Sequence, residues 1–169
     1  MGSNIHNLYI RQVKDTDMSQ WQSVINRAWL AAYSHIFTVE EMENSFAGRT
    51  AQLGSWTGDR TTRLPTYVAV IGSNQIVGIL GLSLRRGYDG EVTMLYVDPE
   101  LQGYGVGRSL WDFALKQLRI QGCEAVQVWT LAQANATEFY RARGCLPFAQ
   151  GNYSVGKHTV TSIGFRLPL

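Results

Sequence analysis

A short apolar run, a glycine-rich loop and a helical pattern follow one another near the middle of this chain, and this succession constrains the fold more than any other feature. The apolar run Leu95–Val97 stops before Pro99, and Gly103, Gly105 and Gly107 then occupy alternate positions ahead of the helical pattern. Glycine lets the backbone turn tightly and approach a ligand closely. The first turn of the helix offers unpaired N–H groups at the positive end of a dipole. The segment therefore predicts a strand–loop–helix unit that can bind phosphate.

The spacing of these glycines excludes two common nucleotide-binding motifs. The pattern G-x-G-x-G differs from the dinucleotide fingerprint G-x-G-x-x-G, and the chain has no G-x-x-x-x-G-K-[ST]. A tight strand-to-helix turn needs glycines even when nothing binds, so the loop alone is not specific. The specific element is Gln102-x-x-Gly105-x-Gly107, which begins three residues after Pro99.

This arrangement resembles the acetyl-CoA signature of the GCN5-related N-acetyltransferase (GNAT) family, a strand and proline-containing turn followed by [Gln/Arg]-x-x-Gly-x-[Gly/Ala] and a helix. A second segment, from Ala136 through Phe139 and Tyr140 to Gly144, resembles the family's A-x-x-F-Y-x-x-x-G. Two motifs in the family's order and separation are more specific than either alone. The resemblance covers residues 66–167 well and the first 60 residues loosely. It implies an enzyme that transfers the acetyl group of acetyl-CoA, as co-substrate, to a primary amine of a small molecule or peptide, by direct attack in a ternary complex.

The order of the predicted elements, βααβββαβαββ, matches the α/β fold of that family, which has a central mixed, splayed sheet. We predict one domain over residues 1–169. Within it, the pattern of residues 47–64 specifies no clear helix or strand. The strands on either side of the helix that follows the loop are expected to pair in parallel through a right-handed crossover. Alternating and helical apolar spacing predicts strands over 8–13, 66–71, 75–84, 91–97, 125–131, 146–153 and 158–166, and helices from Asp15, from Thr38, over 106–121 and over 134–143.

Composition is that of an ordinary globular chain. Of the 169 residues, 45% are hydrophobic and 17% charged, and the net charge of +2 is too small to indicate nucleic acid or a membrane surface. Cys123 and Cys145 form neither a disulfide framework nor a metal cluster, so no metal and a cytoplasmic location are expected. The first residues lack a basic segment followed by an apolar stretch, and no signal peptide is expected. The sequence does not distinguish a monomer from a homodimer.

The resemblance also implies which residues hold the cofactor. In the family, a backbone N–H at the splayed end of the strand polarises the thioester carbonyl, and the N–H groups of the loop and helix hold the pyrophosphate. An asparagine seven residues before the tyrosine usually contacts the pantetheine arm. That position is Gln133 here, and Asn135 lies two residues later, so either amide is a candidate. The remaining cofactor candidates are Leu95, Tyr96 and Val97 at the strand end and Gln102, Gly103, Tyr104, Gly105, Val106, Gly107 and Arg108 in the loop and helix.

Two residues are candidates for proton transfer. Tyr140 falls on the family's tyrosine, the usual general acid for the departing thiolate, and a phenol with a pKa of ~10 is protonated at neutral pH. The alternative is a helix tyrosine that packs beside Phe139. Glu91 opens the strand before the loop, near where some family members place a glutamate that deprotonates the amine directly or through water. A solvated charge after a turn is an equally good interpretation of Glu91.

The acceptor side is the least determined part of the sequence. In the family the first two helices shape it, which makes Trp29 and Tyr33 the substrate-binding candidates, although such aromatics are more often core. Tyr153 near the C-terminus is an equal candidate for lining the site. A histidine between the helices, His35, is a further candidate base but more often structural. The alternative function is a non-catalytic sensor or interaction module that binds acetyl-CoA or CoA.

Overall fold

Seven strands and four helices make up the part of the chain that the structure describes. The computed structural model describes residues 7–45, 65–83 and 89–169. The predicted segment 47–64 therefore lies outside the described residues. In chain order the elements are β1 (Tyr9–Gln12), α1 (Met18–Tyr33), α2 (residues 39–45), β2 (Thr66–Ile71), β3 (Gln75–Ser83), β4 (Gly90–Val97), α3 (Val106–Ile120), β5 (Ala125–Leu131), α4 (Ala136–Arg141), β6 (Leu146–Val155) and β7 (His158–Pro168).

The strands form one mixed sheet with the spatial order β1-β2-β3-β4-β5-β7-β6. Neighbouring strands are antiparallel except β4 and β5, which flank α3 and are parallel. The predicted element order, the mixed α/β sheet and the parallel pair are confirmed. None of the helices in the described ranges has both the length and the hydropathy that crossing a bilayer requires.

Helices α1 and α3 cover opposite faces of the sheet because each buries a single apolar stripe. The alternation of β2 shows the two faces: Val68 and Val70 belong to the core under α1, whereas Tyr67 and Ala69 belong to the core under α3. The buried stripes are Trp21, Val24, Ile25, Ala28 and Trp29 on α1, and Val106, Leu110, Trp111, Ala114 and Leu118 on α3.

Helix α2 starts with a capping box formed by Thr38 and Glu41. The backbone N–H of Glu41 donates to Thr38 Oγ1 at 3.2 Å, and the backbone N–H of Thr38 donates to Glu41 Oε2 at 2.9 Å. Each side chain thus pairs with a backbone donor of the other residue. Thr38 is the capping residue, and residue 39 is the first helical one, one position after the predicted start at Thr38.

Helix α4 is shorter than the predicted 134–143, by two residues at each end. At its start the N–H of Thr137 donates to the carbonyl of Ala134 at 3.1 Å, and at its end that of Gly144 donates to Arg141 at 3.0 Å. These bonds span three residues, so both ends are tighter turns than an α-helix. Gly144 has a φ of +81°, a left-handed conformation that ends the helix.

Strands β4 and β5 stay paired over only three residues. The parallel register joins Gly90–Val92 to Val126–Val128 and goes no further. Beyond that point β4 continues along β3, and β5 continues along β7. The register between β3 and β4 also shifts, because Gly81 opposes Met94 while Leu82 opposes Val92. Thr93 is therefore the extra residue of a bulge at the point where the sheet splays, as predicted for a splayed sheet.

Candidate active site

The gap between the splayed strands opens into two adjoining cavities. We call them the loop cavity, of about 570 Å³, and the aromatic cavity, of about 670 Å³. The loop cavity extends from β4 and β5 to the glycine loop and α4. The aromatic cavity extends from the same two strands to α1 and the hairpin of β6 and β7. The residues common to both linings are Tyr33, Thr93, Met94, Tyr96, Trp129 and Thr130.

The three glycines of the loop serve two different purposes. Gly103 and Gly105 have φ values of +83° and +90°, in the left-handed region that favours glycine. No atom lies within 4 Å of a Cβ built on either, so the space beside them is open. At Gly107 a Cβ would lie 3.6 Å from Val97 Cγ2, so this glycine allows close packing of α3 instead. The first two thus shape an open cradle, and the third fixes the helix that follows it.

The first turn of α3 carries free helical donors beside this cradle. The first intrahelical bond runs from the N–H of Ser109 to the carbonyl of Gly105, at 3.0 Å. The N–H groups of Val106, Gly107 and Arg108 precede it and lack intrahelical partners, as in every helix. These donors can bind an anion.

Side chains brace the strand end and the loop. Asp98 accepts from the N–H of Glu100 at 3.3 Å and from Arg27 Nη2 of α1 at 2.5 Å. Gln102 Nε2 donates to the carbonyl of Val97 at 3.4 Å. The glutamine of the sequence motif therefore joins the loop to the end of β4. The Asp98–Arg27 pair joins the residue after that strand end to α1.

The loop cavity has a cationic lining. Among the described residues that line it, the only charged side chains are Arg108 and Arg143. Arg143 is held in place, since its Cζ lies 3.4 Å from the centroid of the Phe139 ring and its Nη1 donates to the Phe139 carbonyl at 3.0 Å. Burial and the nearby charge of Arg108 lower the pKa of Arg143. A bound anion would stabilise the charged guanidinium and so oppose both effects on its pKa.

Tyr140 lies between the core and the loop cavity. Its ring is only 5% exposed and packs between Trp111 and Phe165, at centroid distances of 5.5 and 6.0 Å. The residue also lines the loop cavity. Burial, followed by the neighbouring hydroxyls of Tyr33 and Tyr96, raises the pKa of the Tyr140 phenol. The group is therefore neutral, with its proton available, throughout the physiological pH range.

Aromatic side chains form most of the second cavity. Trp29 packs edge-on against Tyr33 at 4.6 Å and lies 6.2 Å from Tyr153, both between ring centroids. The indole N–H of Trp29 donates to the hydroxyl of Tyr96 at 3.0 Å. These contacts fix one aromatic wall with residues from α1, β4 and β6. The aromatic lining consists of Trp21, Trp29, Tyr33, Tyr96, Trp129 and Tyr153.

Most of the residues that the sequence singles out line one of these cavities. Trp29 lines the aromatic cavity, and Tyr33 and Tyr96 line both. Both candidate amides are exposed, but only Asn135 lines the loop cavity, and the backbone carbonyl of Gln133 accepts from His35 Nε2 at 3.0 Å. The other candidates on the loop cavity are Leu95, Val97, Gln102, Gly103, Gly105, Gly107, Arg108 and Tyr140.

Three further candidates lie outside both linings. Tyr104 projects from the loop and is exposed, and the side chain of Val106 is buried in the core beneath α3. Glu91 lies in the paired part of β4, opposite Ser83 of β3 and Gln127 of β5. Thr93, two residues further along β4, lines both cavities.

Several residues of the site are not among those that the sequence singles out. Thr93 and Trp129 lie on the two splayed strands, and Gln22 lies on the face of α1 that lines the aromatic cavity. Arg143 lies three residues after Tyr140, within the tyrosine motif, and this position is the one available signal. Thr93, Trp129 and Gln22 belong to ordinary strand and helix patterns, which do not indicate a cavity.

Known proteins resemble this chain along most of its length. The profile of the Acetyltransferase (GNAT) family matches residues 18–145. The chain is 34% identical over 79 residues to a mycothiol acetyltransferase of Beutenbergia cavernae, covering 46% of this chain and 27% of that protein. It is 22% identical over 171 residues to the uncharacterized N-acetyltransferase YuaI of Bacillus subtilis, covering 94% of this chain and 92% of that protein. The chain thus spans about a quarter of the mycothiol acetyltransferase and nearly all of YuaI.

Solved structures share the fold. A GCN5-related N-acetyltransferase from Rhodopseudomonas palustris superposes with a TM-score of 0.75 at 20% identity, covering 100% of this chain and 98% of that one. The PaiA N-acetyltransferase of Thermoplasma acidophilum, in complex with coenzyme A, gives a TM-score of 0.73 at 17% identity and covers 92% and 98%. The family profile, which spans both sequence motifs, confirms the resemblance that they suggested. This chain belongs to the GNAT family of acetyltransferases.

Proposed function

We propose that this protein transfers the acetyl group of acetyl-CoA to a primary amine within a ternary complex. The observation that carries the proposal is the pair of cavities that meet at the splay of β4 and β5. One cavity has a cationic lining and the other an aromatic one, and on β4 they share a wall at Thr93, Met94 and Tyr96. Two substrates can therefore meet at this wall without passing through solvent.

The loop cavity suits an anionic cofactor. Arg108 and Arg143 supply its only charges among the described lining residues, and arginine is well matched to phosphate groups. The open space beside Gly103 and Gly105 lets a pyrophosphate approach the backbone donors at the start of α3. The residues present thus fit the phosphate groups of acetyl-CoA, which would supply the acetyl thioester.

The end of β4 supplies the group that polarises the thioester carbonyl. The β4–β5 register ends at Val92, so the gap between the two strands begins before Leu95–Val97. An N–H fixed in this position stabilises negative charge as it develops on the carbonyl oxygen. We assign this role to the Leu95–Val97 backbone, and the pantetheine contact to Asn135.

Tyr140 supplies the proton that the departing sulfur needs. The amine nitrogen forms a bond to the carbonyl carbon, the carbon–sulfur bond breaks, and the thiolate takes the phenolic proton. The phenol is neutral at physiological pH and therefore has a proton to donate when negative charge develops on sulfur. The phenolate then regains a proton from solvent.

The amine loses its proton to a base before or during attack. We assign this role to Glu91, acting through water, because it lies on β4 but outside both cavity linings. A strand rises ~3.3 Å per residue, so Glu91 is about 7 Å along β4 from Thr93. That distance suits one or two bridging waters and is too long for direct contact with an amine beside Thr93.

The test is a search for the acetylated product. The purified protein is incubated with acetyl-CoA and a panel of primary amines, and CoA release is measured alongside N-acetyl product by mass spectrometry. The proposal predicts equal amounts of both. Tight acetyl-CoA binding by calorimetry with no product from any amine would favour the non-catalytic sensor instead.

A further inference from the structure

The aromatic cavity carries no ionisable acid or base other than tyrosine among its described lining residues. It has no aspartate, glutamate, lysine, arginine or histidine. A second ammonium group on an acceptor would therefore find no carboxylate there, and a carboxylate would find no cation. Placing an unpaired charge in such a site has a large free-energy cost.

A single amine, by contrast, is well accommodated. An ammonium group is attracted to the faces of tryptophan and tyrosine rings, and six aromatic side chains line the cavity. Desolvation among these rings also lowers the pKa of the ammonium, which increases the fraction of neutral amine that can attack. The apolar side chains Ile25, Met94 and Leu131 also line the cavity and favour an apolar body on the same molecule.

Two residues of the cavity lining each carry a neutral oxygen atom that lacks a hydrogen-bond partner in the described structure. Gln22 Oε1 and Thr93 Oγ1 are buried and have no hydrogen-bond partner in the described structure. Gln22 Nε2 is already engaged, since it donates to Asn26 Oδ1 at 2.6 Å. Because a buried acceptor without a donor is costly, both oxygens favour a ligand that brings N–H groups. Thr93 also lines the loop cavity, where the thioester would lie.

We infer that the acceptor is a small monoamine with an aromatic or apolar body and without a carboxylate or a second cationic group. The inference rests on the proposed function, because it names the substrate class of the same site. The cavity volume of about 670 Å³ suits a small molecule. Amino acids, polyamines and aminoglycosides each carry an additional charge that the described lining does not match.

The first experiment compares each amine that carries one charged group with an amine that carries one more. Initial rates of N-acetyl product formation are measured for phenethylamine, phenylalanine, hexylamine and putrescine at saturating acetyl-CoA. Phenylalanine adds a carboxylate to phenethylamine, and putrescine adds a second amine to an alkyl chain. We expect kcat/KM to favour phenethylamine over phenylalanine, and hexylamine over putrescine, by at least about tenfold. A preference for phenylalanine or putrescine, or equal rates, would overturn the inference.

A charge introduced into the cavity should change this preference. Gln22→Glu adds a carboxylate to the lining, so kcat/KM for putrescine should rise at least about fivefold relative to hexylamine. Gln20→Glu is the matched control, since Gln20 lies on the same helix outside both cavities. Its Oε1, which accepts from the N–H of Ile76 at 3.0 Å, is retained in the variant. An unchanged ratio in Gln22→Glu would contradict the inference.

Equilibrium binding separates this inference from the proposed function. Calorimetry with the CoA-loaded protein measures the Kd of phenethylamine and of phenylalanine without any need for turnover. If no amine is acetylated although acetyl-CoA binds, the proposed function fails, and tighter binding of phenethylamine still supports the acceptor class. Equal or tighter binding of phenylalanine overturns the acceptor class whether or not the protein is active.

The aromatic wall offers one more variant. Tyr153→Ala should raise KM for phenethylamine at least about fivefold while leaving KM for acetyl-CoA unchanged, because Tyr153 lines the aromatic cavity alone. Tyr9→Ala is the control, since Tyr9 is an exposed aromatic on β1 outside both cavities. An equal change in both variants would show that Tyr153 does not contact the acceptor.

Discussion

Gly107 at the start of α3 lies against the ring of Phe139 in α4, where a Cβ on the glycine would stand 3.3 Å from Phe139 Cε2. This contact joins the two sequence motifs of the chain, the glycine loop and the tyrosine helix. The Phe139 ring in turn packs edge-on against Tyr140 at 5.3 Å, and the guanidinium of Arg143 lies over it. The glycine loop and the proposed acid are thus linked through this glycine–phenylalanine contact.

Gly105→Ala should strain the backbone and, as a separate effect, weaken acetyl-CoA binding. A side chain at a φ of +90° costs about 1–2 kcal/mol of stability, and the added methyl group enters the open cradle. We expect at least about a tenfold rise in the Kd of acetyl-CoA by calorimetry, since one unfavourable contact of ~1.4 kcal/mol has that effect.

Gly72→Ala is the control for Gly105→Ala. Gly72 also has a positive φ, +58°, and open space around its Cβ position, but it lies in the turn between β2 and β3. This variant should be destabilised to a similar extent and keep its acetyl-CoA affinity. Equal affinities in the two variants would remove the loop from the cofactor site.

Tyr140→Phe should retain acetyl-CoA affinity and lose turnover, because only the proton donor is removed. General acid catalysis contributes ~10²–10⁴-fold, so kcat should fall within that range. Tyr67→Phe is the matched control, since Tyr67 is also buried, its pKa is also raised by burial, and it lies outside both cavities. A kcat within a few-fold of the unmodified protein would show that water or another group protonates the thiolate.

Arg143→Gln should weaken acetyl-CoA binding and reduce its dependence on salt. The guanidinium on the Phe139 ring is one of the two charges among the described residues of the loop cavity, and a hydrogen bond to a charged group is worth about 1.5–3 kcal/mol. The measurement is the Kd of acetyl-CoA at low and high ionic strength. Arg141→Gln, two residues earlier and outside both linings, should bind like the unmodified protein. Identical salt dependence in the two variants would rule out a phosphate contact of Arg143.

Glu91→Gln should lower kcat/KM most near neutral pH, where an amine acceptor is mainly protonated. The deficit should shrink as pH rises, because free amine becomes available without a base. The measurement is a pH–rate profile from pH 6 to about 9.5, with the exposed Glu124→Gln as the control for loss of a carboxylate. A profile parallel to that of the unmodified protein at every pH would exclude Glu91 as the base.

Asp17→Asn should destabilise the fold in a pH-dependent way. Asp17 is 1% exposed and accepts from Arg11 Nη1 at 2.6 Å and from the N–H of Lys14 at 2.7 Å. The hydrogen bond from Arg11 is the main cause that lowers the pKa of Asp17 below its ordinary value. The ionised group therefore stabilises the fold fully above the unfolded pKa of ~3.9, and this contribution is lost as pH falls through the lower folded pKa.

Urea unfolding measures the effect of Asp17→Asn. The variant should lose about 1–3 kcal/mol of unfolding free energy at pH 7, and the difference should narrow at the lowest pH at which both proteins fold. Glu40→Gln, an exposed position on α2, should change stability by less than about 0.5 kcal/mol. A deficit independent of pH would show that ionisation of Asp17 does not contribute.

Local patterns sufficed to predict the elements but not the walls of the site. The capping box at Thr38 and the apolar stripe of α1 depend on residues three and four apart, so the sequence alone indicates them. The contact of Trp29 with Tyr153 joins residues more than a hundred positions apart, which no local pattern encodes. The bulge at Thr93 arises from a register shift between β3 and β4, which depends on how both strands pack and not on the identity of one residue.

The hairpin of β6 and β7 lines the aromatic cavity and has no part in the loop cavity, whereas β4 lines both. In the proposed ternary complex, the acceptor and the cofactor are therefore contacted by partly separate sets of residues. Under that proposal, substitutions at 151–153 and 162 change which amine is accepted and leave the cofactor cavity intact, so new specificities can evolve, or be engineered by exchanging this hairpin, in steps that each keep a working cofactor site. Changes at Thr93, Met94 or Tyr96, which line both cavities, alter both halves at once and are the slower route.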